Sequence, residues 1–394
     1  MDIRVLVWGI RPEYLLLTSE EIKRIQRTKL FETNFLIFDA TINVLINIKP
    51  NKQISFTANL SNNSEECVQT LIGHTGWVSC LNQIDSNKIV SGGNGDKTIK
   101  IWSADNGKCI QNLNGHTGMI KCLQLINEKK VASGSDDKGI KIWDLDHSEC
   151  IRTLNGHTGV IWCLQLIDDE RIASGSDDLS IKVWNIDDGQ CIRTLNGHTG
   201  WISCLQMIDA SRMASGSDDR TIRVWNIENG ECIRTLNGHT GVIWCLQLID
   251  GKRMVSGSVD QVIRMWNVDD GQCILNLYGH SARIWCFQLI GGNRMASGSG
   301  DKTIKIWDLD NGKCIRTLNG HSGGVWCLCL IDGFRLASGC IYGSIYVWNL
   351  DDGQCIQRLK GHSFWIRCLQ LIDGNRIASG SDDSTIKIWK IEKY

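Results

Sequence analysis

Net charge is almost absent from this sequence, which has 42 Lys and Arg residues against 43 Asp and Glu residues in 394. Proteins that bind nucleic acid or acidic membranes usually carry excess positive charge, so the composition indicates neither partner. The most apolar run, FLIFDATINVLINI, contains Asp39 and is too short to span a bilayer. The N-terminus lacks the apolar core and cleavage site of a signal peptide. We therefore expect a soluble protein of the cytoplasm, or of the nucleus.

Proline is equally scarce, with 2 residues in the chain, whereas glycine occurs 40 times. Turns are therefore built from Gly, Asn and Asp, in segments such as NGHTG, IDD, SDD and DDGQ. Between them lie four short apolar runs, CIRTL, GVIWCLQLI, RIASGS and SIKVWNI, which are typical of β-strands. This unit recurs along the chain, and its last run ends in a tryptophan every 41 residues: Trp102, Trp143, Trp184, Trp225, Trp266, Trp307, Trp348 and Trp389.

A period in the low forties, with Gly-His near one end and Trp-Asp or Trp-Asn near the other, resembles the WD40 repeat family of β-propellers. The resemblance covers residues 66–394, and CLQLIDDERIASGS and ECIRTLNGHT are similar to the eight-bladed propellers of F-box/WD-repeat proteins. It implies an all-β fold. Only Trp143 and Trp307 are followed by Asp, so most units depart from the family's Trp-Asp pair.

The two ends of the repeat array complement each other. CVQTL, at residues 67–71, matches the strand that usually follows a tryptophan strand, and the chain stops five residues after Trp389. A repeat array avoids an open sheet edge, so we predict eight blades closed by strand exchange between residues 67–71 and the C-terminal blade.

Residues 1–65 precede the repeats and form a predicted small mixed extension. TSEEIKRIQRTKLF has Thr18 and Glu21 in capping-box spacing, which favours a helix. TNFLIFDATINVLINI and QISFTANL are strand-like. The sequence leaves open whether this extension docks a partner or covers the ring.

The resemblance also implies a buried hydrogen-bonded network in each blade. By position, blades three and four supply its members: His157, Ser174, Asp178, Trp184, His198, Ser215, Asp219 and Trp225. Ser, His and Asp also form hydrolase triads, but a triad repeated around a ring lacks the single asymmetric pocket of an active site. We therefore predict a structural role and no enzyme activity. Blade seven has Tyr342 in place of the network aspartate, so His321 should lack its carboxylate partner, through drift or through adaptation to a ligand.

Of the 18 cysteines, eight lie seven residues before the Gly-His histidine and eight lie six residues after it. These positions fall on the outermost and innermost strands, too far apart for a disulfide. There is no CxxC pair, so we predict no metal site, no cofactor and small buried hydrophobic cysteines in a reducing compartment.

Seven further tryptophans lie three or five residues after the Gly-His histidine. In WD40 proteins these positions, with the residue before the network aspartate, open onto the narrow face around the central channel. Aspartates occupy the last position in blades two, three, four and eight, whereas blades five to seven carry Val259, Gly300 and Ile341. We call the predicted surface the rim; its residues are Trp77, Trp162, Trp201, Trp244, Trp285, Trp326, Trp365, Asp136, Asp177, Asp218, Asp382 and the isolated cations Lys121, Arg283 and Arg367.

Aromatic faces beside carboxylates suit a basic side chain, so the rim predicts a platform for a partly basic or amphipathic peptide. The alternative is that the rim tryptophans only pack the channel, or that duplication of the repeat copied them without a binding role. At the level of function, we expect a non-catalytic protein-interaction scaffold, as a monomer or as a subunit of a complex.

The second candidate is the substrate-recognition subunit of an SCF-type ubiquitin ligase. Residues 1–65 show no F-box pattern, and the rim carries aspartates and tryptophans instead of several arginines, which count against it. An enzyme is the third class, but no phosphate-binding loop or metal-ligand cluster supports it.

Overall fold

The computed structural model describes residues 35–39, 42–48, 54–59 and 67–392, and the chain divides into two units, Met1–Asn62 and Asn63–Tyr394. The first unit contains an antiparallel sheet of three strands, β1 (Phe35–Asp39), β2 (Ile42–Ile48) and β3 (Ile54–Asn59). The two strand-like segments predicted in the extension are thus confirmed. The predicted helix around Thr18 lies outside the described residues. Within the described ranges, no helix is long and apolar enough to cross a membrane.

The second unit is an eight-bladed propeller of four-stranded antiparallel sheets, in agreement with the predicted fold class. We call the strands of a blade inner, second, third and outer. Blades one to four contain, in that order, β5 (Val78–Gln83), β6 (Lys88–Gly93), β7 (Ile99–Ser103) and β8 (Cys109–Leu113); β9 (Ile120–Asn127), β10 (Lys130–Ser135), β11 (Ile140–Asp144) and β12 (Glu149–Leu154); β13 (Ile161–Leu166), β14 (Arg171–Ser176), β15 (Ile181–Asn185) and β16 (Cys191–Leu195); and β17 (Ile202–Met207), β18 (Arg212–Ser217), β19 (Ile222–Asn226) and β20 (Cys232–Leu236).

Blades five to eight repeat the arrangement. They contain β21 (Ile243–Leu248), β22 (Arg253–Ser258), β23 (Ile263–Asn267) and β24 (Cys273–Leu277); β25 (Ile284–Leu289), β26 (Arg294–Ser299), β27 (Ile304–Asp308) and β28 (Cys314–Leu318); β29 (Val325–Leu330), β30 (Arg335–Cys340), β31 (Ser344–Asn349) and β32 (Cys355–Lys360); and β33 (Ile366–Asp373), β34 (Arg376–Ser381), β35 (Thr385–Lys390) and β4 (Cys67–Ile72).

The eighth blade combines the two ends of the propeller. Its outer strand is β4, which pairs antiparallel with β35 so that Cys67 lies opposite Trp389 and Leu71 opposite Ile386. The inner strands of neighbouring blades contact each other all the way around, including those of blades eight and one. The ring is therefore closed by main-chain hydrogen bonds between residues far apart in sequence.

The hydrophobic core lies between the blades. The third-strand tryptophan of each blade is at most 1% exposed and packs against the preceding blade; Trp184, for example, joins Ile140, Ile142 and Leu154 of blade two. Second strands are buried almost throughout because each one is covered on both faces by neighbouring blades. Burying large aromatic and branched side chains at every junction is the main stabilisation of such a ring.

Candidate functional site: the rim of the channel

The rim is positioned by the same backbone hydrogen bond in every blade. The N–H of Asp177 donates to the carbonyl of Val160 at 2.9 Å, and the N–H of Asp218 donates to that of Trp201 at 3.0 Å. Equivalent bonds join the turn after the second strand to the loop before the inner strand in all eight blades. The three rim positions of each blade therefore emerge together at one end of the sheet.

A buried network holds that turn and that loop in place. In blade three, His157 Nδ1 donates to Asp178 at 2.7 Å, and its Nε2 lies 2.7 Å from the Ser174 hydroxyl, which accepts the Trp184 indole N–H at 2.8 Å. Blade four repeats this with His198, Asp219, Ser215 and Trp225. The network connects the core tryptophan to the rim turn, so it fixes the rim to the scaffold.

The protonation states of the network suit this structural role. Burial lowers the pKa of His157 despite its bond to Asp178, so the imidazole is neutral near pH 7. Burial alone would raise the pKa of Asp219, but hydrogen bonds from His198 and Thr221 lower it below its usual range. Ser174 is 0% exposed, so no substrate can reach its hydroxyl. A nucleophile needs such access, and the resemblance to a hydrolase triad ends there.

Blade seven lacks the acid of the network. His321 is 6% exposed and keeps its 2.6 Å bond to Ser338, but its Nδ1 is buried without a hydrogen-bond partner in the described part of the chain. The predicted loss of its carboxylate partner is confirmed. The Tyr346 ring packs edge-on against the imidazole at 4.2 Å, and burial lowers the pKa of His321 to about 3. Tyr342 itself is 61% exposed.

Rim tryptophans contact one another in two arcs. Trp201 lies between Trp162 and Trp244, with ring centroids 5.4 Å apart on both sides. In the other arc, Trp326 lies 5.0 Å from Trp285 and 5.7 Å from Trp365.

The seventh indole, Trp77, joins the second arc through Arg367, whose guanidinium lies 5.3 Å from the Trp77 ring and 4.5 Å from the Trp365 ring. Trp77 is 50% exposed, and the other six rim indoles are half-buried. The structure therefore places the seven tryptophans at equivalent positions of the blades, each partly exposed, although the indole nitrogen of Trp244 is buried without a hydrogen-bond partner among the described residues.

The prediction that Lys121 and Arg367 are isolated cations was wrong. Lys121 Nζ lies 3.2 Å from Asp136, and Arg367 binds Asp382 through two hydrogen bonds of 2.7 and 2.8 Å. Each pair joins an inner-strand side chain to the residue before the network aspartate, 15 positions later in the chain. These two positions are neighbours across the inner and second strands, so opposite charges there neutralise each other.

Three charged rim residues keep no ionic partner among the described residues. Asp177 accepts the indole N–H of Trp162, Asp218 forms no side-chain hydrogen bond, and Arg283 is exposed without a carboxylate nearby. The uncompensated negative charge of the rim is therefore confined to blades three and four, while its uncompensated positive charge lies in blade six.

The prediction that all the cysteines are buried was wrong for the outer strands, although all 18 are free thiols. Inner-strand thiols are enclosed, and burial raises the pKa of Cys80 to about 11. An outer strand has no further strand beyond it, so the cysteine near its start is exposed in five blades and half-buried in the other three, as Cys67, Cys232 and Cys355. The exposed outer-strand thiols are Cys109, Cys150, Cys191, Cys273 and Cys314. Among the described residues, no group of His, Cys, Asp and Glu is arranged to hold a metal ion.

Two exposed aromatic side chains near the rim were not predicted from the sequence as part of it. Phe364, 58% exposed, stands where most units have glycine in the Gly-His-Thr-Gly turn, and Tyr342 stands where the others have the network aspartate. A backbone contact joins their segments, because Gly343 abuts the carbonyl of Phe364. Aligning the eight repeat units shows both substitutions, so these two exposed aromatic residues could have been identified from the sequence.

Most of the chain matches the model of a known protein family. The family described as WD domain, G-beta repeat matches eight segments: 65–103, 107–144, 148–185, 189–226, 230–267, 271–308, 312–349 and 353–390. The chain belongs to the WD40 repeat family. WD40 propellers generally mediate protein–protein interactions and are typically non-catalytic scaffolds.

Two solved structures are similar to this chain in fold. The computationally designed Ika8 protein is 31% identical, with 83% of this chain and all of that chain covered and a TM-score of 0.77. The WD40 β-propeller domain of Doa1 is 21% identical, with 83% and 97% coverage and a TM-score of 0.60, and shows the fold alone. No curated protein matches the sequence significantly.

Proposed function

We propose that this protein is a non-catalytic scaffold that binds a peptide segment of a partner protein on the tryptophan-rich rim. The observation that carries the proposal is the set of seven partly exposed indoles at equivalent positions of the blades, together with the carboxylates of Asp177 and Asp218, which have no ionic partner among the described residues. Tryptophan is enriched among the residues that dominate binding energy, since it buries a large area at low entropic cost. Carboxylates beside indole faces favour a partly basic or amphipathic segment.

The experiment selects binders from a random peptide display library with the full chain. The variant carries Trp162→Ala, Trp244→Ala, Trp285→Ala and Trp326→Ala, which removes indoles from both arcs. The control is Phe334→Ala, which removes an aromatic side chain that is 65% exposed in the turn between the inner and second strands of blade seven, away from the rim. Scanning calorimetry first establishes that all three proteins fold.

We expect wild type and the Phe334→Ala variant to enrich the same peptides and the rim variant to lose them. If the rim variant retains those peptides, the rim tryptophans are packing residues and the proposal fails. Failure of the wild type to enrich any peptide also contradicts it.

The alternative is a substrate-recognition subunit of an SCF-type ubiquitin ligase, which the repeat resemblance suggests. A phosphorylated peptide needs several free cations, whereas Lys121 and Arg367 are paired with aspartates and Arg283 alone is unpaired on the described rim. The charge pattern therefore favours the scaffold. Recovery of an adaptor and a cullin with the full chain would favour the ligase instead.

A further inference from the structure

Blade eight shows how this rim holds a guanidinium group. The side chain of Arg367 lies 4.5 Å from the Trp365 ring and 5.1 Å from the Trp326 ring, and it forms two hydrogen bonds with Asp382. The arginine is 20% exposed and the aspartate 9% exposed. An aromatic cage closed by a bidentate carboxylate is a strong arrangement for binding an arginine side chain.

Blade four contains the same cage without the arginine. Moving back four repeats, or 164 residues, places Trp162 at the position of Trp326, Trp201 at that of Trp365 and Asp218 at that of Asp382. The residue equivalent to Arg367 is Ser203. Three of the four members of the site are thus retained, and the arginine is missing. The only cation near these rings among the described residues is Lys121, whose Nζ lies 5.1 Å from the Trp162 ring and is paired with Asp136.

The two indole rings of the blade-four site are spaced as in blade eight. The Trp162 and Trp201 rings are 5.4 Å apart, compared with 5.7 Å for Trp326 and Trp365. Trp244 also contacts Trp201, at 5.4 Å, but this contact has no counterpart in blade eight. The residue equivalent to Trp77, which lies beside Arg367, is Val242.

In blade four, the backbone of Asp218 is fixed by a hydrogen bond, but its carboxylate has no partner among the described residues. The N–H of Asp218 donates to the Trp201 carbonyl, as the N–H of Asp382 donates to the carbonyl of Trp365, so both aspartates start from the same backbone position. The Asp218 carboxylate forms no hydrogen bond or ion pair within residues 67–392. Ser203 uses its hydroxyl for the backbone carbonyls of Gly216 and Ile243, which leaves Asp218 free.

We propose that Trp162, Trp201 and Asp218 form a binding site for an arginine side chain supplied by the partner. This inference rests on the proposed function and names the residue class that the rim recognises. The partner's guanidinium stacks on the Trp201 ring and donates two hydrogen bonds to Asp218, as Arg367 does within blade eight. A lysine ammonium can occupy the cage but cannot form the planar bidentate pair.

The test uses peptides enriched by the full chain from the display library, resynthesised with arginine, lysine or citrulline at the enriched basic position. Citrulline keeps the shape of arginine and removes its charge. Asp218→Asn removes the charge of the site with little change in volume, and Ser203→Arg supplies the arginine that blade eight carries. The matched control is Ser79→Arg, because Ser79 bonds backbone carbonyls as Ser203 does but its blade has no rim aspartate.

We expect Asp218→Asn to weaken the arginine peptide about tenfold, which corresponds to about 1.4 kcal/mol. Citrulline should weaken wild-type binding by the same factor and cause no further loss with Asp218→Asn, because both changes remove one interaction. Ser203→Arg should block the arginine peptide, whereas Ser79→Arg should bind it within about twofold of wild type.

Equal binding of the arginine and citrulline peptides by wild type would overturn the arginine site, as would full binding by the Ser203→Arg variant. Enriched peptides without a basic residue would also overturn it while leaving the peptide-binding rim intact. Absence of any enriched peptide would instead contradict the proposed function.

Discussion

Blade seven allows the contribution of a network carboxylate to be measured, because it retains the backbone of the other blades and lacks the acid. The N–H of Gly343 donates to the carbonyl of Cys340 at 3.2 Å, as that of Lys138 does to Ser135 in blade two. The φ angles of Gly343 and Lys138 are 74° and 71°. Tyr342→Asp therefore places a carboxylate on the same turn that supplies the network acid elsewhere.

The companion change is Tyr346→Lys. The Tyr346 ring packs 4.2 Å from the imidazole of His321, whereas the equivalent residue in blade three is Lys182. A buried polar atom without a partner costs about 1–3 kcal/mol. Because loss of the tyrosine packing offsets part of the gain, we expect the double variant to be more stable than wild type by about 1–2 kcal/mol. For a unit of about 330 residues this corresponds to a rise in Tm of roughly 1.5–3 °C.

Scanning calorimetry of the full chain measures this shift. The control is Tyr342→Ala with Tyr346→Lys, which makes the same deletion without supplying a carboxylate and should melt below wild type. Equal melting temperatures of the aspartate and alanine double variants would show that the carboxylate contributes nothing to the network.

Three further predictions follow from the buried groups. Ser256→Ala removes the hydroxyl that accepts the Trp266 indole N–H and bonds His239. Urea denaturation should therefore show a free energy of unfolding lower by about 2–4 kcal/mol. The control is Ser281→Ala, at an exposed position, which should lower it by less than about 0.5 kcal/mol.

We expect the free energy of unfolding to fall in two stages as the pH is lowered. In the first stage, between about pH 6.5 and pH 3, His321 takes up a proton in the unfolded chain but stays neutral in the folded protein, where its pKa is about 3. In the second stage, below about pH 4, the network carboxylates become protonated in the unfolded chain before they do in the folded protein. Burial alone would raise the pKa of Asp260, but its hydrogen bonds lower it to about 2. A free energy of unfolding that is constant from pH 7 to pH 3 would contradict both stages. A thiol reagent should modify the exposed outer-strand thiols of the native protein within minutes, and the inner-strand thiols only after denaturation. Mass spectrometry of the digested protein measures which cysteines are modified. Rapid labelling of the inner-strand thiols in the native protein would contradict their burial.

The fold could be predicted from the sequence because each repeat carries its own turn residues, strand lengths and core tryptophan. The rim positions could also be predicted, since three and five residues after the histidine fall on the same side of a strand. The ion pairs of Lys121 and Arg367 were missed because they join different strands of one blade. Their common offset of 15 residues, shared by Trp162 and Asp177, was the available signal.

The burial of the cysteines was mispredicted for a different reason. Cys163 and Cys191 are equally apolar in composition and recur with the same period, but one lies on an inner strand between neighbouring blades and the other on an outer strand beside solvent. Hydrophobicity alone does not distinguish these environments. The arginine-free cage of blade four could not be predicted from the sequence either. It forms from side chains of neighbouring blades, and only the three-dimensional ring brings these together.

The most direct test of the binding rim follows the indole N–H signals of the full chain by ¹⁵N NMR while an enriched peptide is added. The 16 tryptophans include seven on the rim and eight in the third strands, and single Trp→Phe variants assign them. We predict that the rim signals shift in proportion to bound peptide, with Trp162 and Trp201 moving most, while the third-strand signals stay fixed. Binding that leaves the rim signals unchanged, or that shifts the buried set instead, would contradict the account.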